Sequence, residues 1–414
     1  MPPRARPLAR RTVAWALVAD VVPLYPLYAL LFTSTGLSVA QVSALFAIWS
    51  AVAVLAEVPS GALADRFSRR GCLVAAGVLQ AAGYVAWVLL PGFPGFALGF
   101  VLWGCGGSLV TGALEALLYD GLVAAGAQDQ YARVYGWVTA MELVAQFPAA
   151  AAATLLFAAG GFPLAGWVSV GTCLLAAVLA ARLPEPARTG TDTGTDTGTD
   201  TDAAEPGYLE TLRAGVAEAA RAPAVRAVLV AAAVLGAFDT VEEYFPLLLA
   251  GWGVPTALVP LADLPAVLAG VAGAALGGAA ARLPPWALGA VLTVAMLLLG
   301  GAGLAAHPAG IAAVALFYGG YRAVLVVVDA RLQERIEGRS RATVTSVASL
   351  GTELATFGLY AAWAGGGAPF LAACGLLVAG VLPVLLRTRP GAGSGAPGGR
   401  YPHGEESARA VGDA

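Results

Sequence analysis

The chain has 414 residues, of which 58% are hydrophobic and only 12% charged, and its mean hydropathy of +0.76 lies far outside the range of water-soluble domains. The net charge is -3 and the 23 basic residues, all arginine, are scattered rather than gathered among aromatics, which excludes a nucleic-acid footprint. The 4 cysteines, Cys72, Cys105, Cys173 and Cys374, stand in apolar runs without C-x-x-C spacing, so no metal site, disulfide framework or cofactor is expected.

A membrane-spanning helix needs about 20 mostly apolar residues, and turn signals cut the chain into such lengths repeatedly. Arg4, Arg6, Arg10 and Arg11 precede an apolar run that is too long for a secretory signal peptide and reads as a first span at 12–33. Further spans are predicted at 41–63, 71–91, 96–120, 133–158 and 163–183, then at 224–250, 256–281, 285–304, 310–332, 343–364 and 368–387. The predicted fold is therefore an all-α polytopic membrane protein, with twelve transmembrane helices in two pseudo-repeated six-helix bundles, 1–183 and 224–387. Between them, 184–223 reads as a cytoplasmic linker whose Thr-Gly-Thr-Asp repeats cannot bury a core. Its last part, 208–221, has the apolar spacing of a short surface helix. The tail 388–414, rich in Gly and Pro, reads as disordered.

Arginine position tests the count independently, because cytoplasmic loops retain basic residues during insertion. With the amino terminus inside, the arginines from Arg4 to Arg11, Arg66, Arg69, Arg70, Arg133, Arg182, Arg226, Arg282, Arg331, Arg335, Arg339, Arg341 and those of the linker and tail all fall at cytoplasmic loops or span ends. Only Arg322 is left inside the membrane. This predicts an inner (plasma) membrane protein with both termini cytoplasmic.

Between the second and third spans stands Gly61-Ala62-Leu63-Ala64-Asp65-Arg66-Phe67-Ser68-Arg69-Arg70. It closely resembles the G-x-x-x-D-R-x-G-R-R loop of the major facilitator superfamily: Gly61, Asp65, Arg66, Arg69 and Arg70 match, while Ser68 replaces the second glycine, so the turn there is expected to need less positive φ. Two further segments resemble a branch of the same superfamily, Gly112-Ala113-Leu114-Glu115-Ala116-Leu117-Leu118-Tyr119-Asp120 and Arg341-Ala342-Thr343-Val344-Thr345-Ser346. The resemblance implies a secondary transporter working by alternating access. It also implies that Asp65 faces the start of the eleventh span, where unpaired N–H groups attract a carboxylate, so Asp65 is assigned to gating. The three arginines serve either that gate or topology alone. The equivalent loop of the second half, Gly277-Gly278-Ala279-Ala280-Ala281-Arg282, lacks the aspartate.

A charge near the bilayer centre costs at least about 2.5 kcal/mol, so it faces a cavity, pairs, or binds protons and substrate. Asp20, Glu115, Glu142, Asp239, Glu242, Glu243, Asp263, Arg322 and Glu353 lie at such depths. On an α-helix Asp239, Glu242 and Glu243 share one face and cannot all be ionised cheaply, which suits proton coupling or cation binding; a wet vestibule beside Pro246 would equally accommodate them. Asp20, just before Pro23 and Pro26, is a cavity candidate because prolines loosen the helix there. Glu115 and Glu142 read as polar glue between helices or as further cavity carboxylates. Arg322 and Glu353, midway along neighbouring spans, are expected to form an ion pair; alternatively Arg322 binds an anionic substrate.

These readings favour a monomeric, proton-coupled exporter of small organic molecules, amphipathic or cationic. The fifth span reads Ala145-Gln146-Phe147-Pro148 instead of the G-P pattern many exporters of the superfamily carry, which weighs against export. Proton-linked uptake of a metabolite, bound by Arg322, is the rival within transport. A membrane sensor or an intramembrane enzyme is the rival outside it. For an enzyme His307 and His403 are badly placed, and no G-x-x-x-x-G-K-[ST] loop is present to bind ATP.

Overall fold

The computed structural model describes residues 1–3, 5–66, 68–185, 223–335 and 341–387, without the side chains of 57, 58, 61, 62, 64–66, 223–225, 335 and 341–346. The readings of the linker, its 208–221 helix and the tail beyond 387 lie outside the described residues. Among those described, every regular element is helical.

Helix α1, Arg6–Ser34, is broken where Pro23 and Pro26 remove backbone donors and crowd the preceding turn. Its first piece ends at Asp20, a 3-10 turn covers Tyr25–Leu27, and the helix resumes at Tyr28. The backbone N–H of Leu24, freed by the break, donates to Ser169 Oγ at 2.9 Å, which meets the requirement that backbone groups inside a membrane find partners. Helix α2, Val39–Arg66, starts with a reciprocal cap between Ser38 and Gln41. Helices α3, Arg69–Leu89, and α4, Phe93–Ala124, come next.

The helical run Tyr131–Ala180 leaves helical geometry at Gly160 and Gly161, where φ at Gly161 is +64°, and so divides into α5 (131–159) and α6 (162–180). Helix α7 (223–251) is composite, with the 3-10 segment Phe238–Tyr244 between Pro223–Ala237 and Phe245–Gly251. Then come α8, Val259–Ala275, α9, Pro285–Ala305, and α10, Gly310–Arg335. Arg341–Leu385 divides at Gly367, φ +61°, into α11 (341–366) and α12 (368–385). Nine described runs are long and apolar enough to cross a membrane; two of them hold a helix pair, and composite α7 completes a set of twelve.

Large aliphatic side chains cover the outside: Leu55, Leu155, Leu304 and Leu377 are each at least 70% exposed, a surface that lipid solvates and water does not. Small residues let helices approach inside. A Cβ at Gly273 of α8 would strike the Gly319 backbone of α10. The halves α1–α6 and α7–α12 meet where α1 packs on α7, α2 on α11 and α5 on α8. One apolar core runs across this junction, through Phe32, Phe46, Tyr244, Tyr360 and Trp363. At the end where α1 begins and α6 stops, here the proximal end, Leu8, Trp15, Leu73, Leu117, Val138 and Leu183 form a separate cluster within the first half alone.

Candidate functional site

A cavity of about 940 Å³ lies between the halves. Its distal end is sealed. Ser43 Oγ and Tyr244 Oη are 2.7 Å apart across the junction, Tyr244 stacks on Trp363 with centroids 4.2 Å apart, and Tyr28, Phe46 and Phe100 meet edge to face. Toward the proximal end its lining continues to Gly136 on α5 and Ala274 on α8.

Asp20, Glu142, Asp239, Glu242, Glu243 and Asp263 all line this cavity, with Arg322 as its one lining arginine. The sequence expectation that Asp239, Glu242 and Glu243 share one α-helical face is corrected, because the segment carrying them is wound as a 3-10 helix. Three residues per turn stack position i on i+3 and send i+4 a third of a turn away. Tyr318 Oη accordingly lies 3.0 Å from Asp239 and 2.6 Å from Glu242. Glu243 instead faces the first half, where it accepts hydrogen bonds from Tyr28 and, at 3.4 Å, from Tyr25.

The expected Arg322–Glu353 ion pair is also corrected. Arg322 Nη1 donates to both oxygens of Asp239 at 2.7 and 2.6 Å, and its guanidinium lies 5.9 Å from the Tyr318 ring centre. Glu353 accepts from Ser50 of α2. The cause is lateral packing: α10 contacts α7, whereas α11 contacts both α7 and α2, so Glu353 turns toward the first half.

Glu115 does not line the cavity. The buried face of α4 here carries Ala113, Leu114, Leu117 and Leu118, which leaves Glu115 on the outside, where it accepts from Tyr135 of α5 at 2.8 Å. That is polar glue between neighbouring helices, the other half of its expected role. Sequence reasoning assigns no role to Asp263, whose buried Oδ1 has no donor among the described residues. A lone carboxylate between Pro260 and Pro265 in an otherwise uncharged span is its only signal.

In the signature loop the side chains of Gly61, Asp65 and Arg66, and those at the start of α11, lie outside the described residues, so the Asp65 contact is undescribed. Ser68 needs no positive φ: at φ −71° its hydroxyl caps α3, accepting from the Gly71 N–H at 2.9 Å and donating to Glu185 at 2.6 Å. Arg69 pairs with Asp120 of α4 and donates to the Ala116 carbonyl at 3.2 Å. Arg70 reaches the Leu183 carbonyl at 3.5 Å and Glu185 at 3.8 Å. Both described arginines therefore tie the loop to its own half. The second half makes a related joint with donor and acceptor exchanged, Arg331 of α10 donating to the Leu283 carbonyl at 3.1 Å.

The sequence profile of the Major Facilitator Superfamily matches residues 13–359. The chain belongs to this superfamily. It is therefore a membrane transporter and not an enzyme. Solved superfamily structures have the same fold. The nucleoside transporter NupG is 13% identical, with a TM-score of 0.69 over 92% of this chain and 97% of its own. A bacterial homolog of the human lysosomal transporter Spinster, in an inward-facing and unoccupied conformation, is 17% identical, with a TM-score of 0.67 over 93% and 91%. A D-xylose-proton symporter is 16% identical, with a TM-score of 0.61 over 91% and 96%. No curated protein sequence matches the chain. At these identities the superfamily likeness establishes the fold and leaves the cargo to the cavity.

Proposed function

We propose that this superfamily member is a proton-coupled exporter of small organic molecules, cationic or amphipathic, loaded from the cytoplasm into the central cavity. The observation that carries the reading is the charge of the wall: six carboxylates face one arginine, and Asp239 already binds that arginine through both oxygens. An anion entering this space meets uncompensated like charge, whereas a cation replaces lost hydration with carboxylate oxygens and the faces of tyrosines. Proton binding is supported by a donor count. The single Tyr318 hydroxyl proton cannot serve both Asp239 and Glu242, so the two contacts are filled together when a carboxyl carries its own proton.

The units 1–183 and 224–387 are proposed to rock about the sealed distal junction, as a monomer in the inner membrane with the proximal end and both termini in the cytoplasm. The cavity then faces inward. Asp65 remains the proposed proximal latch. Uptake of an anionic metabolite on Arg322 is the poorer reading, because its guanidinium is already committed to Asp239.

The test is pH-gradient-driven accumulation of ethidium in inverted membrane vesicles containing the protein. Accumulation that a protonophore abolishes supports the reading. Driven movement in right-side-out vesicles alone reverses the direction, and movement indifferent to the proton gradient removes the coupling.

A further inference from the structure

Behind Asp20 and Glu142 the first half encloses a second chamber of about 240 Å³, walled by α1, α3, α4, α5 and α6. These two carboxylates line both this chamber and the central cavity. They stand in the doorway between the two. The other polar groups in the chamber wall are Trp15, Gln80 and Thr111, with no arginine among them. The Trp15 indole is 4% exposed, and its N–H has no acceptor among the described residues.

A buried donor that faces a polar space calls for a ligand that can accept from it. The same ligand must donate to carboxylates at the doorway. Water does both, and at roughly 30 Å³ per molecule the chamber has room for several. Gly107 opens the wall further, since a Cβ there would meet nothing within 4 Å.

Two carboxylates in a shared space without a basic partner are most cheaply neutralised by a proton. Across the central cavity they face Asp239, Glu242, Glu243 and Asp263, all acidic, and an Arg322 held by Asp239; the nearby phenols are Tyr84 of α3 and Tyr135 of α5. We propose that Asp20 and Glu142 form a proton site of their own in the first half, hydrated from this side chamber and additional to the carboxyl proton at Tyr318 on α7. The proposal rests on the proton-coupled reading above.

A measurement independent of cargo tests it: infrared difference spectra of the purified full-length protein in lipid, following the protonated-carboxyl band from about pH 5 to 9. Wild type is expected to show a titrating band that loses one component in both Asp20→Asn and Glu142→Gln and keeps that component in Glu243→Gln. Gly107→Leu, which adds apolar volume where a Cβ meets nothing within 4 Å, and Trp15→Phe, which keeps the ring but removes the donor, are expected to move its midpoint by roughly half a pH unit or more. Thermal melts of each variant confirm folding. A band that keeps every component in both doorway substitutions but loses one in Glu243→Gln or Glu242→Gln overturns the proposal and leaves proton coupling intact on α7. A wild type without any titrating band overturns both.

Discussion

Tyr28 and Glu243 belong to opposite halves of the chain, and the hydrogen bond between them crosses the junction that the proposed alternating access would have to open. Tyr28 is buried at 4% exposure amid Phe32, Phe46, Trp87 and Phe100, and the other donor to that carboxylate, Tyr25, is longer at 3.4 Å. Tyr28→Phe keeps the ring packing and removes the donor. Taking one donor from a part-buried acceptor costs about 1 kcal/mol, set here against the distally sealed state alone. The expected outcome is a shift toward the distally open state, read as faster maleimide labelling of a cysteine placed at Ser43; unchanged labelling would mean that the bond does not hold the seal.

Ser50 and Glu353 make a second bond of the same kind between α2 and α11. Ser50→Ala is expected to act in the same direction as Tyr28→Phe, and the double variant to approach the sum because the two bonds share no atom. Strong non-additivity in the labelling assay would show that the two bonds report one closure event and not two separate contributions.

Removing one member of the Arg322–Asp239 pair leaves the other charge without its partner. Both side chains are about a third exposed to the cavity, at 30% and 37%, so water screens part of the loss and the penalty falls to roughly 1–3 kcal/mol. Arg322→Gln and Asp239→Asn should each lower the melting temperature in detergent, and the double substitution should recover most of the loss. A double variant as unstable as the sum of the singles would argue against the pair as the source of the effect.

Ser68→Ala deletes both the cap on α3 and the bond to Glu185. Loss of such a cap costs about 0.5–2 kcal/mol, whereas glycine in the same position costs only a few tenths for the cap itself. Melting temperatures should therefore rank wild type, Ser68→Gly and Ser68→Ala in descending order. If Ser68→Gly is the least stable, conformational freedom in the loop outweighs the cap.

Depth along the membrane is legible from the residues alone, while direction around a helix is not. Span positions come from hydropathy, and the breaks at Gly161 and Gly367 each fall within the predicted connections. Asp239 and Glu353 both lie near mid-span, so depth cannot choose between them as the partner of Arg322; the contacts of α10 and α11 with their neighbours decide it. The cavity role expected of Glu115 fails for a similar reason, since α4 is apolar nearly all round and its pattern names no single buried face. Nothing in Phe238-Asp239-Thr240-Val241-Glu242-Glu243-Tyr244 distinguishes 3-10 from α winding, because both accept the same residues. The side chamber is hidden from the sequence because its walls come from five helices, and a lone tryptophan such as Trp15 ordinarily reads as packing.

That 3-10 winding has a mechanical consequence. It advances 120° and about 2.0 Å per residue, against 100° and 1.5 Å for an α-helix. Rewinding Phe238–Tyr244 as α would shorten α7 by about 3.5 Å and turn its distal piece, Phe245–Gly251, by roughly 140° relative to Pro223–Ala237. Glu243 would swing away from Tyr28 while the stacking of Asp239 on Glu242 dissolved. The segment would thus act as a screw thread, in which a change of pitch would convert a local event at the carboxylates into axial travel and rotation of the distal end of α7.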